Sequence, residues 1–175
     1  MNYVLNYEEI FEKSLIEIRD KICKEDKLKL SSLKIKNLIF KEGGNGIYLF
    51  FNKYHKCIYV GRSYSRSFIE RIPAHFDTRE EIEWGFRGVC KKIMERRIKV
   101  KSDFTWYDAA TELLSCYLYL INFKNNKNNK KYCRRLEKLL IYIFREHPLY
   151  NGSYIKRSQE INDKDLLIDN LDRIR

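Results

Sequence analysis

The sequence predicts an α/β (α+β) domain in which a small three-stranded antiparallel sheet is flanked by helices. Two short β-rich runs, 47–51 (IYLFF) and 57–60 (CIYV), are separated by the polar 52–56 (NKYHK), which is the signature of a hairpin. A third run, 114–123 (LSCYLYLINF), alternates well enough to make a third strand. Elsewhere apolar residues recur at helical spacing. With 44% hydrophobic residues the chain can build a core, and 2 Pro and 7 Gly argue against a disordered or fibrous chain.

Taken in order, Asn6 can cap a helix, with Glu9 three residues on completing a capping box. Phe11, Leu15, Ile18 and Ile22 then give an amphipathic helix over roughly 7–23, and the charged stretch 24–41 reads mainly as a connector. Gly43-Gly44-Asn45-Gly46 punctuates the chain before the hairpin. A helix follows from about Ser65, ended or kinked by Pro73, and a basic amphipathic helix runs from about Arg87 to Lys99. After an Asn/Lys-rich loop at 125–131, a helix over 132–145 carries Leu136, Leu139, Leu140 and Ile143 on one stripe. Ile141 and Phe144 make it apolar on a second side, as in a buried central helix. Pro148 and Asn151-Gly152 stop it. Asn162 or Asp163 caps a last helix striped by Leu166, Leu167, Leu171 and Ile174. The organisation is an N-terminal helix and connector (1–42), a main domain (43–152) and a helical tail (153–175).

Lys plus Arg number 35 against 24 Asp plus Glu, a net charge of +11 that suggests a polyanionic partner; a Lys-rich proteome is the alternative source of such an excess. Cys23, Cys57, Cys90, Cys116 and Cys133 are odd in number and scattered without a C-x-x-C pair, so neither a disulfide framework nor a zinc site is indicated. The N-terminus carries charges every few residues, and no apolar run approaches the roughly 20 residues that span a bilayer. The expectation is a cytoplasmic protein with reduced thiols and no membrane partner.

Gly46-Ile47-Tyr48 is followed, ten residues on, by Tyr59-Val60-Gly61. Then come 67–75 (SFIERIPAH), with Arg71 four residues before His75, then 136–141 (LEKLLI), and then Pro148-Leu149-Tyr150-Asn151. These elements, in this order over about 46–152, resemble the GIY-YIG nuclease family. The resemblance implies a catalytic domain at 43–152, Mg²⁺ as cofactor with Mn²⁺ as a substitute, and double-stranded DNA as partner.

Each residue carries a plainer reading beside that one. With the loop centred between Lys53 and Tyr54, Tyr48 lies directly across from Tyr59, so both hydroxyls point into one site or the two rings merely brace the hairpin. Arg71 offers a planar fork for a phosphate oxygen, or lies on a solvated helix face. The resemblance makes His75 a phosphate contact or proton carrier, although Pro73 disturbs its alignment with Arg71. Glu137, flanked by Ile141 and Phe144, needs a partner: a metal ion by resemblance, or a salt bridge to Arg134 or a packed Arg. Asn151 is a site residue or an Asn-Gly turn. Where the family often has Lys after the second Gly, this chain has Arg62, which cannot accept a proton.

By resemblance, Tyr48 takes a proton from water, Arg71 and Tyr59 hold the scissile phosphate, and Mg²⁺ on Glu137 stabilises the leaving group. Arg62, Lys91, Lys92, Arg96, Arg97, Lys99 and Lys101, with Lys124, Lys127, Lys130 and Lys131, are candidate phosphate contacts or solvated faces. Trp84 and Trp106 stack on bases or pack. The expected activity is a Mg²⁺-dependent endonuclease of restriction or phage type. A repair nuclease, or a nucleic-acid-binding protein that does not cut, stands as the alternative, and the oligomeric state is open.

Overall fold

The computed structural model describes residues 3–10, 13–77, 88–124 and 129–151. The chain opens with β1 (Val4–Asn6), a 3-10 turn (Tyr7–Ile10), α1 (Leu15–Lys24) and β2 (Leu28–Lys29). Two further 3-10 turns lead to the hairpin of β3 (Asn45–Phe51) and β4 (Cys57–Ser63). Then come α2 (Phe68–Arg71), a 3-10 turn (Pro73–Phe76), α3 (Val89–Arg97), α4 (Trp106–Leu114), β5 (Tyr117–Phe123) and α5 (Asn129–Ile143). The tail at 153–175, with its expected helix, lies outside the described residues, as do Phe11, Trp84, Arg87 and Lys127.

The sheet is five-stranded and mixed, in the order β1-β5-β3-β4 with β2 also on β5. The predicted three-stranded antiparallel sheet is its centre, since β3 pairs antiparallel with both β4 and β5. The correction is at the edge of β5. There β1 runs parallel along 120–122 and β2 antiparallel along 117–118, so the two cover successive stretches of one edge. Strands of three and two residues are too short to show a period, so β1 passes unseen before the first helix and β2 within the connector at 24–41.

The predicted helix over 7–23 starts late. Ser14 and Glu17 form its capping box: the Ser14 hydroxyl accepts from the Glu17 N–H at 3.3 Å, and the Glu17 carboxylate accepts from the Ser14 N–H at 2.7 Å. Asn6 and Glu9 do pair, the Asn6 N–H donating at 3.2 Å, but they close a single 3-10 turn. The third strand also starts late. Leu114 ends α4, whose last turn is closed by the Ser115 N–H on the carbonyls of Thr111 and Glu112, and β5 begins at Tyr117.

Side-chain alternation along β3 sorts the core into two layers. Ile47, Leu49 and Phe51 pack with α1 and α5, joined by Val60, Leu136, Leu140, Ile141 and Phe144. Tyr48 and Phe50 face the other way, into a layer with Phe68, Ile72, Val89, Ile93, Ala109 and Leu113. Helix α5 packs Cys133, Leu136, Leu139, Leu140 and Ile141 into the first layer alone and leaves Arg134 and Lys138 exposed, so it lies on one face of the sheet and is not the buried central helix expected. Trp106 packs against the second layer.

The free edge of β4 is covered by the chain just beyond α5. The Cys57 N–H donates to His147 Nδ1 at 2.8 Å, and the Tyr150 N–H donates to the Ile58 carbonyl at 2.6 Å. Asn151 completes the cover with its side chain, as described below. No helix among the described residues is long and apolar enough to cross a membrane.

Helix α1 tests the capping assignment. Ser14→Ala should lower stability by about 1 kcal/mol in urea unfolding, the usual cost of losing an N-cap oxygen. Asn6→Ala should cost less, because it releases a turn rather than a helix.

Candidate active site

The hairpin pairs Tyr48 with Gly61 and Phe50 with Tyr59, so Tyr48 is not directly opposite Tyr59 as the sequence leads one to expect. The cause is an asymmetric loop. Asn52 Oδ1 accepts from the N–H groups of Tyr54 and Lys56, each at 3.0 Å, and His55 turns through a left-handed φ of 55°. The register then shifts between Phe50 and Phe51. Tyr48 and Tyr59 become diagonal neighbours, still on one face, with ring centroids 6.1 Å apart.

Gly61 is the residue this arrangement requires and sequence reading passes over. A Cβ there would stand 2.3 Å from Tyr48 Cζ and 2.5 Å from its hydroxyl oxygen, so the Tyr48 ring lies over bare backbone. The signal was present: a glycine inside a β-rich run marks a bulge or a close approach.

The segment carrying Arg71 and His75 is tied to the start of β3 by the Phe68 N–H on the Gly44 carbonyl, 2.8 Å. The Ser67 N–H donates to the Glu70 carboxylate at 2.8 Å and starts α2. Pro73 then turns the chain into a 3-10 coil, and this carries His75 into the core rather than to the surface. His75 is fully buried, with ring centroids 5.3 Å from Tyr48, 5.1 Å from Phe50 and 5.0 Å from Tyr59.

The tautomer of His75 follows from its neighbours. The Val89 backbone N–H can only donate, and it meets Nδ1 at 3.2 Å. The neutral ring therefore carries its proton on Nε2 and donates it to the Tyr48 hydroxyl oxygen, 2.8 Å away. Burial, aided by the charges of Arg71 and Lys92, holds His75 well below the usual histidine range. Burial, aided by Tyr59, pushes the Tyr48 phenol well above its ordinary value, while the charge of Arg71 and its hydrogen bond to Tyr48 pull the other way. His75 thus reaches Tyr48, sealed from solvent.

Arg62 pairs with Ile47, so it points to the opposite face from Tyr48, where α5 lies. There its Nη1 meets Glu137 Oε2 at 2.5 Å. Glu137 is 7% exposed, and its carboxylate partner is this packed arginine. Burial raises the Glu137 pKa, and Arg62, Arg71 and Arg134 oppose that rise. Arg71 acts electrostatically on both Tyr48 and Glu137, and Glu137 acts on Tyr48, so the two faces communicate through charge.

No group of three or more His, Cys, Asp or Glu gathers among the described residues. One buried carboxylate suits a hard cation that keeps most of its water and takes oxygens from a substrate phosphate, as Mg²⁺ does. It does not make a closed protein cage.

Asn151 is 7% exposed and spends its amide on the sheet. Its Oδ1 accepts from the Val60 N–H at 3.0 Å, and its Nδ2 donates to the Val60 carbonyl at 2.7 Å, as a neighbouring strand would. Several basic residues also have partners within the protein. Lys92 Nζ donates to the Tyr150 carbonyl at 2.8 Å and lies 5.0 Å from the Tyr59 ring centroid. Arg96 donates to the Leu149 carbonyl at 2.8 Å with its guanidinium 4.0 Å from the Tyr150 ring. Arg97 pairs with Glu112 through two contacts of 2.9 Å. Lys124 stands 3.9 Å from Glu42, Lys130 lies 5.6 Å from the Tyr64 ring, and Lys91 is half-buried.

The structure thus brings Tyr48, Tyr59, Arg71 and His75 together, sets Glu137 and Arg62 within electrostatic reach, and places Asn151 on the strand edge. Compared with models of protein families, with curated proteins and with solved structures, the chain matches none.

Two substitutions probe this geometry. Gly61→Ala should destabilise the protein by about 1–3 kcal/mol in denaturant titration, the usual cost of overpacking, because the sealed Tyr48 ring has nowhere to move. Glu137 should leave a pH signature. Its folded pKa lies above the ordinary 4.5, so its contribution to stability is present below that value and is lost as pH rises through the folded one. The stability of wild type relative to Glu137→Gln should therefore fall with rising pH in that window and then level off.

Proposed function

We propose that this chain is a metal-dependent endonuclease that hydrolyses phosphodiester bonds in double-stranded DNA, of the GIY-YIG kind that its sequence resembles. The observation that carries the reading is the gathering around one phenolic oxygen. Tyr48 receives His75 from 27 residues away and Arg71 beside it, with Tyr59 on the same face. A restriction or phage role fits best, with repair as the neighbouring possibility in the same chemistry.

Hydrolysis needs an activated water, neutralised charge at phosphorus and help for the leaving oxygen. In this reading Tyr48 is the base only as its phenolate: when the site opens to substrate its phenol proton passes to solvent, and the freed oxygen then accepts a proton from the attacking water. The His75 Nε2–H and the Arg71 guanidinium both donate to the Tyr48 oxygen, and donors on that oxygen favour its phenolate. Burial opposes them, so Tyr48 keeps its proton in the free protein. Arg71 extends its fork to a phosphate oxygen, and Tyr59 orients that phosphate from the same face. Mg²⁺, or Mn²⁺ in its place, would be held by Glu137 and would supply positive charge to the phosphate and the leaving oxygen. Arg62 stays charged throughout and has no part as a base.

A nucleic-acid-binding protein that does not cut is the second reading. The Arg62 guanidinium on Glu137 favours it, because that contact stands where a cation would bind.

Plasmid nicking with and without EDTA tests the proposal. Nicking that needs Mg²⁺ and stops with EDTA is the expected result, and EDTA-insensitive or absent nicking opposes it. Tyr48→Phe should lower cleavage at least about a hundredfold, the low end for losing a general base. The same change leaves the buried His75 N–H without its acceptor and costs about 1–3 kcal/mol of stability, so rates must be compared well below both melting temperatures.

A further inference from the structure

We infer that Arg62 occupies the cation's place at Glu137 in the free protein and leaves it for a substrate phosphate, so that cation and nucleic acid bind as a coupled pair. This rests on the endonuclease reading and adds to it a reason for the order of events at the site.

Three features support the handover. Glu137 sits on the packed face of α5 with its side chain 9% exposed, and Arg62 Nη1 lies 2.5 Å from its Oε2. A divalent cation bound at that carboxylate would stand close to the guanidinium charge, and in so buried a place that repulsion sets the two in competition. Arg62 is the partner able to leave, because its side chain is 21% exposed and ends on a long flexible stem, whereas Glu137 is fixed in the packed face of a helix. While it holds Glu137, Arg62 already lies beside a neighbouring aromatic ring. The Arg62 guanidinium lies 5.7 Å from the Tyr64 ring, and Lys130 Nζ lies 5.6 Å from that ring. An arginine swung toward Tyr64 would join Lys130 in a small basic rim, where a planar fork can take a phosphate bidentately. Arg71 and Arg134 also act on Glu137, so its negative charge remains compensated during the exchange.

The consequence is that the free protein should bind a divalent cation weakly, and that nucleic acid should strengthen this binding by drawing Arg62 away. Apparent affinity falls by the fraction of molecules in the competent state, so a contact held in nine molecules of ten weakens binding about tenfold.

The test is Mn²⁺ binding by calorimetry in the absence of nucleic acid, which requires no cleavage. Arg62→Met keeps the stem and removes the charge, and should bind Mn²⁺ at least about tenfold more tightly than wild type. Arg62→Met combined with Glu137→Gln should lose that gain. Equal affinity in Arg62→Met and wild type would overturn the inference, and so would a gain that survives in the double variant. If Arg62→Met does not fold, Arg62→Lys serves, because its ammonium cannot reproduce the guanidinium fork: an intermediate gain supports the handover and none refutes it. Absent nicking with a large gain in Arg62→Met would refute the nuclease reading while leaving the Arg62–Glu137 exchange standing. EDTA-sensitive nicking without any such gain would do the reverse.

Discussion

A strand that is hydrogen-bonded along both edges and covered on both faces has little freedom left, and β3 is such a strand. It pairs with β4 on one side and β5 on the other, and from Gly46 to Phe51 it is buried. Its strict alternation sends Tyr48 toward α2 and α3 and Ile47 toward α5. That parity places Arg62, opposite Ile47, on the face away from Tyr48, so the carboxylate and the phenol approach the same region from different layers. The diagonal relation of the two tyrosines, the Tyr48 ring over Gly61 and the seat of His75 all take their positions from this one strand.

Much of this was legible in the sequence, and the reasons for the rest are physical. The hairpin and α5 stood out because periodicity is a local property, whereas Tyr48, Tyr59, Arg71 and Glu137 were singled out by the resemblance to a family. The hairpin register did not stand out, since it depends on which hydrogen bonds Asn52 makes inside a five-residue polar loop. Strands β1 and β2 were hidden because each exists only through its pairing with β5. Lys92 and Arg96 look, in sequence, like a basic helix face. In the fold their long stems turn inward to carbonyls of 149–150, a tertiary preference that no periodicity encodes. Asn151 reads as a turn residue, yet its amide imitates a peptide group beside β4.

The ionisable groups of the site are held in forms that suit a resting protein. His75 is neutral, Tyr48 keeps its proton, and Glu137 has its charge met by an arginine. Burial is the leading cause for both rings and for the carboxyl, and Arg71 is the cation that acts on all three. A group that changes the local dielectric or adds positive charge would shift them together rather than singly. Arg71 is thus the charge that links the three groups.

The cover on the β4 edge has a consequence for synthesis. Val60 and Asn151 lie 91 positions apart in the chain, so β4 leaves the ribosome long before the residue that closes its edge. At translation rates of roughly 5–20 residues per second the interval lasts on the order of 5–20 s. The hairpin can form early in that time, but it stays open on the β3 side until β5 (Tyr117–Phe123) follows and on the β4 side until Asn151 does. A nascent chain in this state presents unpaired backbone to its neighbours on the same polysome. Slower elongation through 88–124 would lengthen the exposure, and a holding chaperone would find its target there rather than in the finished fold.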